Sequence, residues 1–367
     1  MLGSRDPFPV SGDREQLVND SSQTSFFDFP KDMVQLIGSK IPNNADKAKF
    51  ALLNRQTNNF FQDDLNKQKL LHYIANGKKE AVKKMLDKNP RLVLQAANTM
   101  TPGGLSLIGV TPYECALACG DPDMALMIGE YFEKFEGGIE ERAAQFKRYE
   151  KSIDNMLNVE PYDFTKLINI IKQNSADDVT AELATGKNYD PSYKSALRTE
   201  LEKFRIAFAP RELKTPNDQI EYIGFIYASL LQILRLLDKE WNTLSNHGSN
   251  YDKCDLVWRQ LFGFPGRRLP IVERFAFAQG LDNINGGVTF ARSLTNIDNS
   301  HSGVGFEFDF AVSIYGRFGD GVAYLLGVLE KLFRAKAAGF EKVRQQLQPS
   351  PELHEVSRVR RSGCVIV

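Results

Sequence analysis

Residues 29–61 read FPKDMVQLIGSKIPNNADKAKFALLNRQTNNFF, and their apolar residues fall into two sets separated by a break. Pro30 suits the first position of a helix, because its missing N–H group would be unpaired there in any case. The apolar residues that follow at helical spacing are Met33, Val34, Ile37 and Ile41. Pro42 ends this helix, and a second apolar set from Ala48 onwards turns a corner before Phe60. About 33 residues bury too little surface to fold alone, so this hairpin must share its apolar face.

This helical hairpin resembles an F-box, whose pattern is a hydrophobic residue before proline, an acidic residue, spaced aliphatics and a hydrophobic-polar-arginine step. Asp32 supplies the acidic residue, and Leu53-Asn54-Arg55 supplies the final step. The resemblance implies that the hairpin docks on the Skp adaptor of a Skp–cullin–F-box ubiquitin ligase. The residues that it assigns to this contact are Phe29, Pro30, Met33, Val34, Ile37, Ile41 and Leu53. The alternative is a structural hairpin that packs on the domain behind it.

The 367-residue chain has the composition of an ordinary globular protein, with 42% hydrophobic and 25% charged residues. It is long enough for two or three packed units. Its 46 basic and 46 acidic side chains give no net charge, so no overall field favours nucleic acid as a partner. Four cysteines make no disulfide framework, which suits a reducing compartment. The first 25 residues lack the apolar run of a secretory signal, and we expect a disordered leader there.

From residue 66 to residue 136 one plan occurs twice: a short helix, a glycine and a second short helix. The first copy turns at Gly77 and stops before Pro90, and the second copy turns at Gly120. A Gly-x-Thr-Pro step at residues 109–112 opens the second copy. The pair resembles two ankyrin repeats, although the glycines lie farther apart than the roughly 33 residues of a standard repeat. The resemblance implies a binding scaffold, and the alternative is a generic pair of helical hairpins.

An enlarged loop is expected between the two repeats, over residues 91–108, where a Pro-Gly-Gly step breaks any helix. In ankyrin-like folds the protruding loops carry the recognition surface. The residues that we assign to target binding are Asn98, Pro102, Leu105 and Leu107. The alternative is an insertion that has no partner.

Residues 137–347 are expected to form a larger helical bundle, because their apolar residues recur at helical spacing. The predicted helices span residues 163–183, 194–208, 216–244, 255–264, 271–281 and 323–347, with a turn-rich loop at 263–270. The segment 216–244 is apolar through its middle, which favours a central helix of the bundle over a membrane span. Residues 306–310 alternate phenylalanine with acidic residues and allow a short strand. This region resembles no family that we recognise.

The chain ends RVRRSGCVIV, residues 358–367, with a cysteine four positions from the end and two aliphatic residues after it. This pattern predicts prenylation of Cys364, and the alternative is a chance match. One lipid alone holds a protein only marginally, so a basic cluster is the expected second membrane contact. That cluster consists of Arg358, Arg360 and Arg361.

Sequence patterns for catalysis and metal binding are not found. Cys115 and Cys119 share one helix face without a second cysteine or histidine pair nearby, so we expect burial rather than zinc binding. Cys254 begins an amphipathic helix and is expected to be a core thiol. No phosphate-binding loop or nucleophile elbow occurs. We therefore predict no metal, no cofactor and no catalytic residue, and an active site assembled from distant residues of the bundle stays open.

Together the three motifs resemble a family of effector proteins that intracellular bacterial pathogens secrete through type IV systems into host cells. The resemblance implies an all-α, non-catalytic substrate receptor that acts in the host cytosol, with the Skp adaptor and cullin of a host ubiquitin ligase as partners. Its repeats or bundle would capture a host target, and prenylated Cys364 would hold it on a host membrane. The alternatives are a prenylated helical scaffold that binds no ligase, and an enzyme with its site within residues 137–347. The expected domains are residues 1–25 (leader), 26–65 (F-box-like), 66–136 (ankyrin-like), 137–347 (helical) and 348–367 (linker and tail).

Overall fold

The computed structural model describes residues 55–184, 190–209, 216–278 and 319–347, together with Lys40 and Asp46. Of these described residues 75% are helical, which confirms the predicted, predominantly helical class. The chain divides into two compact units, residues 1–65 and 66–367. The predictions for the leader, the F-box-like helices before residue 55, the strand at residues 306–310 and the tail lie outside the described ranges.

The first group of elements contains the two helix pairs. These elements are α1 (Arg55–Ala75), α2 (Lys79–Lys88), a 3-10 turn (Pro90–Leu94), β1 (Ala97–Met100), β2 (Ser106–Val110), α3 (Pro112–Ala118), α4 (Pro122–Gly129) and a second 3-10 turn (Glu130–Lys134). The corner predicted before Phe60 does not occur in the described part of this stretch, since α1 is continuous from Arg55 through that position. Its 21 residues contain neither proline nor glycine, so nothing in the sequence interrupts the helical hydrogen bonds.

A two-stranded antiparallel sheet, β1 with β2, replaces the irregular loop predicted between the helix pairs. The Gly104 amide donates to the Thr101 carbonyl at 2.9 Å, which closes a tight turn. Pro102 takes the second position of that turn, and Gly104 adopts the left-handed φ of +86° that leads into β2. The Pro-Gly-Gly step that indicated a loop is therefore the turn of a β-hairpin.

The second group of elements forms the bundle. These elements are α5 (Gly138–Asn155), a 3-10 turn (Met156–Asn158), α6 (Thr165–Gln173), α7 (Ala176–Leu183), α8 (Ala196–Ala207), α9 (Pro216–Leu244), a 3-10 turn (Asn246–Gly248), α10 (Asp252–Leu256), a π-helical segment (Val257–Gly263), α11 (Phe264–Gly266), α12 (Ile271–Ala278) and α13 (Gly319–Gln346). The single helix predicted over residues 163–183 is two helices. The Ser175 side chain accepts a hydrogen bond from the Asp178 amide at 3.2 Å and so caps the start of α7.

α9 is the central helix of the bundle, as its apolar sequence predicts. It packs against α5 and α13, and the Tyr227 ring stacks on the Phe333 ring with 4.4 Å between centroids. At Gly224 the helix approaches the 3-10 turn after α5 so closely that a Cβ atom would lie 2.5 Å from the Met156 carbonyl oxygen. Within the described ranges, Ile220–Leu244 alone has the length and hydropathy of a membrane span, but 67% of its most apolar window is buried inside the protein.

Polar contacts join the second helix pair to the bundle. The Thr111 hydroxyl donates to Gln145 Oε1 of α5 at 2.6 Å, and Arg148 Nε donates to Glu114 Oε1 at 2.7 Å. Thr111 and Glu114 also form a capping box, in which each side chain accepts a hydrogen bond from the other residue's amide. The start of α3 is therefore fixed by its own cap and by α5.

The last turn of α13 is held by α4 and α5. Arg142 of α5 donates to the Gly129 carbonyl at 2.9 Å and to the Gln346 carbonyl at 2.8 Å. The Gln346 side chain donates to the Leu126 carbonyl at 3.2 Å. The final helix thus ends at a fixed point.

Candidate functional site

The turns of the two helix pairs have the same backbone geometry and the same hydrogen bonds. Each pair turns at a glycine with a left-handed backbone, Gly77 at φ +65° and Gly120 at φ +63°. Each glycine amide donates to the carbonyl three residues back, and the next amide donates to the carbonyl five residues back from itself. These two bonds satisfy the last carbonyls of the first helix and reverse the chain. The predicted glycine turn between two helices is present at both positions, but the helix before Gly77, α1, has 21 residues and is not the short helix that was predicted.

Corresponding helices of the two pairs pack side by side. α2 contacts α4, and the Cys115 thiol of α3 donates to the Leu71 carbonyl of α1 at 3.9 Å. The second 3-10 turn reaches back to α2, where the Tyr131 hydroxyl donates to Asp87 Oδ1 at 2.6 Å. On the other side, α5 covers α3 and α13 covers α4. The pairs therefore form a short stack whose second member rests on the bundle.

The hairpin between the pairs places the four predicted target-binding residues in different surroundings. Asn98 is exposed, and its side chain accepts a hydrogen bond from the Gly109 amide at 2.8 Å. Pro102 is half-buried in the turn. Leu105 and Leu107 are 3% and 0% exposed and belong to the hydrophobic core. The two leucines anchor the hairpin, so we remove them from the target-binding surface.

Sequence analysis missed the apolar residues on the solvent side of this hairpin. Met100 and Ile108 are 62% and 55% exposed, on the face that also carries Asn98. The signal was the alternation along β1 and β2, which sends every second side chain to solvent. The turn itself is held, because Arg268 donates to the Gly103 carbonyl at 3.4 Å and a Cβ at Gly103 would meet Arg268 backbone at 2.7 Å. The solvent face, defined by Asn98, Met100 and Ile108, is therefore presented on a fixed support.

The three described cysteines are buried, as predicted. Burial raises the pKa of the Cys254 thiol to about 12, so this thiol is protonated and unreactive at neutral pH. Burial also raises the pKa of Cys115 well above its usual value. In the part of the chain that the structure describes, no three potential metal ligands lie together.

A second candidate site is a cavity between the start of α4 and the helices α12 and α13. Its volume is about 440 Å³, which falls in the range of small-molecule sites. Glu273 and Lys336 lie in its buried part, with 1% and 7% of their surfaces exposed. Asp123 and Lys342 line its exposed part. The cavity thus leads from a charged rim to a buried pair of opposite charges.

The buried pair is a close ion pair between Lys336 Nζ and Glu273 Oε1. Burial raises the pKa of the Glu273 carboxyl, and the Lys336 ammonium opposes that shift. The ammonium also lies 5.6 Å from the centroid of the Tyr227 ring. Burial, and secondly the Glu273 carboxylate, raise the pKa of the Tyr227 hydroxyl well above its usual value. The Tyr227 hydroxyl also hydrogen-bonds to the Glu273 carboxylate.

No local sequence motif predicts the Glu273–Lys336 ion pair, because the two residues lie on different helices. The available signal was Lys336 itself, which interrupts an apolar heptad pattern along α13. The apolar positions of that pattern are Leu329, Leu332, Phe333, Phe340 and Val343.

The residues assigned to the Skp adaptor, the prenyl group and the membrane all lie outside the described ranges. They are Phe29, Pro30, Met33, Val34, Ile37, Ile41, Leu53, Arg358, Arg360, Arg361 and Cys364. The chain matches no protein-family model, no curated protein and no solved structure. Its function is therefore inferred from the geometry of the described residues and from the sequence motifs.

Proposed function

We propose that this protein is a non-catalytic substrate receptor of a host Skp–cullin–F-box ubiquitin ligase, anchored to a host membrane by a prenyl group on Cys364. The observation that carries the proposal is the stack of two helix pairs that share one glycine turn, with a β-hairpin between them. This arrangement supports the resemblance to ankyrin repeats, which are protein-binding scaffolds. The protein is then an effector that a bacterium secretes into the host cytosol.

The solvent face of the hairpin is the surface that we assign to the host target. Met100 and Ile108 expose more than half of their surfaces there, beside the polar side chain of Asn98. Apolar side chains with a polar surround are typical of protein-binding surfaces. Leu105 and Leu107 fix the opposite face of the hairpin in the core, so little conformational freedom is lost when a partner binds.

Docking on the Skp adaptor is inferred from the F-box-like pattern of residues 29–55, and membrane attachment from the last ten residues. In this function the receptor supplies no chemical group to the reaction. It brings the target to the conjugating enzyme that the ligase carries, and the high local concentration of the reacting groups accelerates transfer.

A binding assay with purified components tests the ligase contact. The full-length chain is immobilised and incubated with a eukaryotic Skp adaptor–cullin subcomplex. A Pro30→Ala, Ile37→Asp variant removes the apolar contact, and Gln35→Asp is the matched control on the same predicted helix but off its apolar face. We expect the wild type and Gln35→Asp to retain the subcomplex, and the double variant to bind it roughly tenfold more weakly or worse. Circular dichroism establishes that each variant is folded.

A folded wild type that retains no subcomplex rejects the ligase role and leaves the prenylated scaffold as the function. The membrane part is tested separately in eukaryotic cells. The wild type should float with membranes in a density gradient, and Cys364→Ser should stay in the soluble fraction. Equal flotation of both proteins contradicts the prenyl anchor.

The alternative of an enzyme within residues 137–347 gains one observation, the cavity at Glu273 and Lys336. A buried carboxyl with a raised pKa in such a cavity is typical of functional sites. The described lining of the cavity contains no serine, threonine, cysteine or histidine. The ionisable side chains of the described lining are carboxylates and lysines, and such groups suit the binding of a charged small molecule.

A further inference from the structure

We propose that the cavity between α4, α12 and α13 binds a small zwitterion of the amino-acid type, whose ammonium group meets Glu273 and whose carboxylate meets Lys336. The inference is independent of the ligase proposal, since it concerns a different set of residues. It begins from a buried pair of opposite charges at the place where α12 and α13 meet the start of α4.

The ion pair is not explained by the stability of the fold. Removing two charges from water costs more than their attraction usually returns, and apolar residues of the same size commonly serve as well or better. The neighbours of Lys336 along α13 are the core residues Leu332 and Phe333. Tyr227 and Phe333 stack beside it. An apolar side chain at position 336 would continue this packing. We therefore infer that the lysine is present to bind a second partner besides Glu273.

Both members of the pair have hydrogen-bonding capacity left over. The carboxylate of Glu273 pairs with Lys336 through Oε1 and accepts a hydrogen bond from the Tyr227 hydroxyl, but its two oxygens together offer about four acceptor positions. An ammonium group has three donors, and the ion pair uses one of them. Because both side chains line the cavity, a ligand can reach an acceptor and a donor that lie next to each other.

The surroundings select a neutral ligand that carries both charges. A lone cation would lie against the Lys336 ammonium, and a lone anion would lie against the Glu273 carboxylate, and a buried contact between like charges is costly. A zwitterion satisfies the carboxylate and the ammonium together and adds no net charge. Asp121, which also lines the cavity, is already engaged, because its Oδ1 accepts a hydrogen bond from the Met124 amide as the cap of α4.

The cavity also has room and an apolar wall for a side chain. Its volume of about 440 Å³ exceeds what the charged head of such a ligand needs. Val272 and Leu332 line it and offer contacts to an apolar group. Gly120 keeps the space open, since a Cβ there would lie 2.6 Å from Lys336 Nζ. We therefore expect preference for amino acids with a bulky apolar side chain.

Calorimetric titration and thermal-shift measurements on the full-length protein test the proposal with the common L-amino acids as probes. For phenylalanine, the halves phenylethylamine and phenylpropionate each carry one of the two charges on the same ring. We expect at least one bulky apolar amino acid to bind in the millimolar range or better and to raise the melting temperature. Its two halves should each bind at least roughly tenfold more weakly.

Two variants and one control locate the site. Lys336→Met and Glu273→Gln should abolish binding or weaken it by roughly tenfold or more. Lys172→Met removes a lysine that pairs with Glu240 elsewhere in the bundle, and it should leave binding unchanged. Failure of every amino acid to bind overturns the proposal, as does equal binding of the halves. Unchanged binding by a folded Lys336→Met or Glu273→Gln also overturns it. The comparison of whole ligand and halves uses the wild type, so it decides the matter even if a variant does not fold.

Discussion

Replacing Thr111 by alanine removes two hydrogen bonds at the junction between the second helix pair and the bundle. The Thr111 hydroxyl accepts from the Glu114 amide at 3.3 Å and donates to Gln145 Oε1 at 2.6 Å. The reverse bond, from the Thr111 amide to Glu114 Oε2 at 3.0 Å, survives because it uses only the backbone of residue 111. The substitution therefore isolates the hydroxyl.

The two lost bonds set the size of the effect. Loss of a threonine N-cap costs about 1 kcal/mol. Gln145 is 0% exposed, so its side-chain oxygen is left without a partner and away from water, which costs about 1–2 kcal/mol more. The expected loss in the free energy of unfolding is about 2–3 kcal/mol, equivalent to a fall of roughly 3–6 °C in the melting temperature.

Urea unfolding followed by tryptophan fluorescence measures this loss and tests the junction at once. Trp241 and Trp258 both lie in the bundle, far along the chain from residue 111. If the helix pairs and the bundle unfold together, the fluorescence transition shifts with the far-ultraviolet circular dichroism. Thr111→Ser keeps the hydroxyl and should lose less than about 1 kcal/mol.

On a Gln145→Leu background the alanine substitution should cost only the cap, about 1 kcal/mol, because the buried acceptor is already gone. The reasoning is refuted if Thr111→Ala lowers stability by less than about 0.5 kcal/mol, or if serine is as harmful as alanine.

Three further predictions concern the glycine turn of the second helix pair, the solvent face of the hairpin and a buried tyrosine. Gly120→Ala should lower the free energy of unfolding by about 1–2 kcal/mol in urea titrations, because the backbone there is left-handed and a Cβ atom would crowd the cavity. The control is Gly327→Ala on α13, where a Cβ atom would meet no neighbour. This substitution should raise the free energy of unfolding by about 0.5–1 kcal/mol. Met100→Asp with Ile108→Asp should leave the melting temperature nearly unchanged, since both side chains are exposed, but should remove the host proteins that cross-link to the wild type in cells; an unchanged set of cross-links would assign the target elsewhere. Folding raises the pKa of the Tyr227 hydroxyl, so the stability that this group contributes is complete below about pH 10 and falls by about 1.4 kcal/mol per pH unit above it. Tyr227→Phe should make the fall in stability at alkaline pH less steep by that amount. An unchanged slope would show that Tyr227 is not the group that titrates.

Elements whose signal is local were predictable from the sequence. α9 was predicted with the bounds that it has, because Pro216 marks its start and apolar residues recur without a breaker up to Leu244. The helix–glycine–helix turns were readable for the same reason, since a glycine after a short apolar helix indicates a left-handed end.

Features that depend on distant contacts were not predictable in this way. α6 ends at Gln173, and Ser175 caps the start of α7. The apolar spacing on either side of these residues gave no sign of the break. The hairpin strands are four and five residues long, and their pairing decides which of their apolar residues face the core. Leu107 and Ile108 are neighbours in sequence, yet Leu107 is buried and Ile108 is exposed. Composition alone could not show which of the two packs in the core and which faces solvent. The Glu273–Lys336 pair needs the whole bundle to bring its helices together.

The fixed end of α13 defines the point at which the last twenty residues of the chain start. Arg142 holds the Gln346 carbonyl, and Leu347 packs against the hydrophobic core. About 17 residues separate Leu347 from Cys364, and at full extension they span at most roughly 60 Å. With Cys364 in a bilayer, as we propose, the point where α13 ends can sample only a shell of that depth beside the membrane. Proteins on the same membrane then meet the receptor at a high effective concentration, while proteins free in the cytosol do not. With the anchor that we propose, the length of the tail would contribute to the choice of target, although the tail itself need not contact the target.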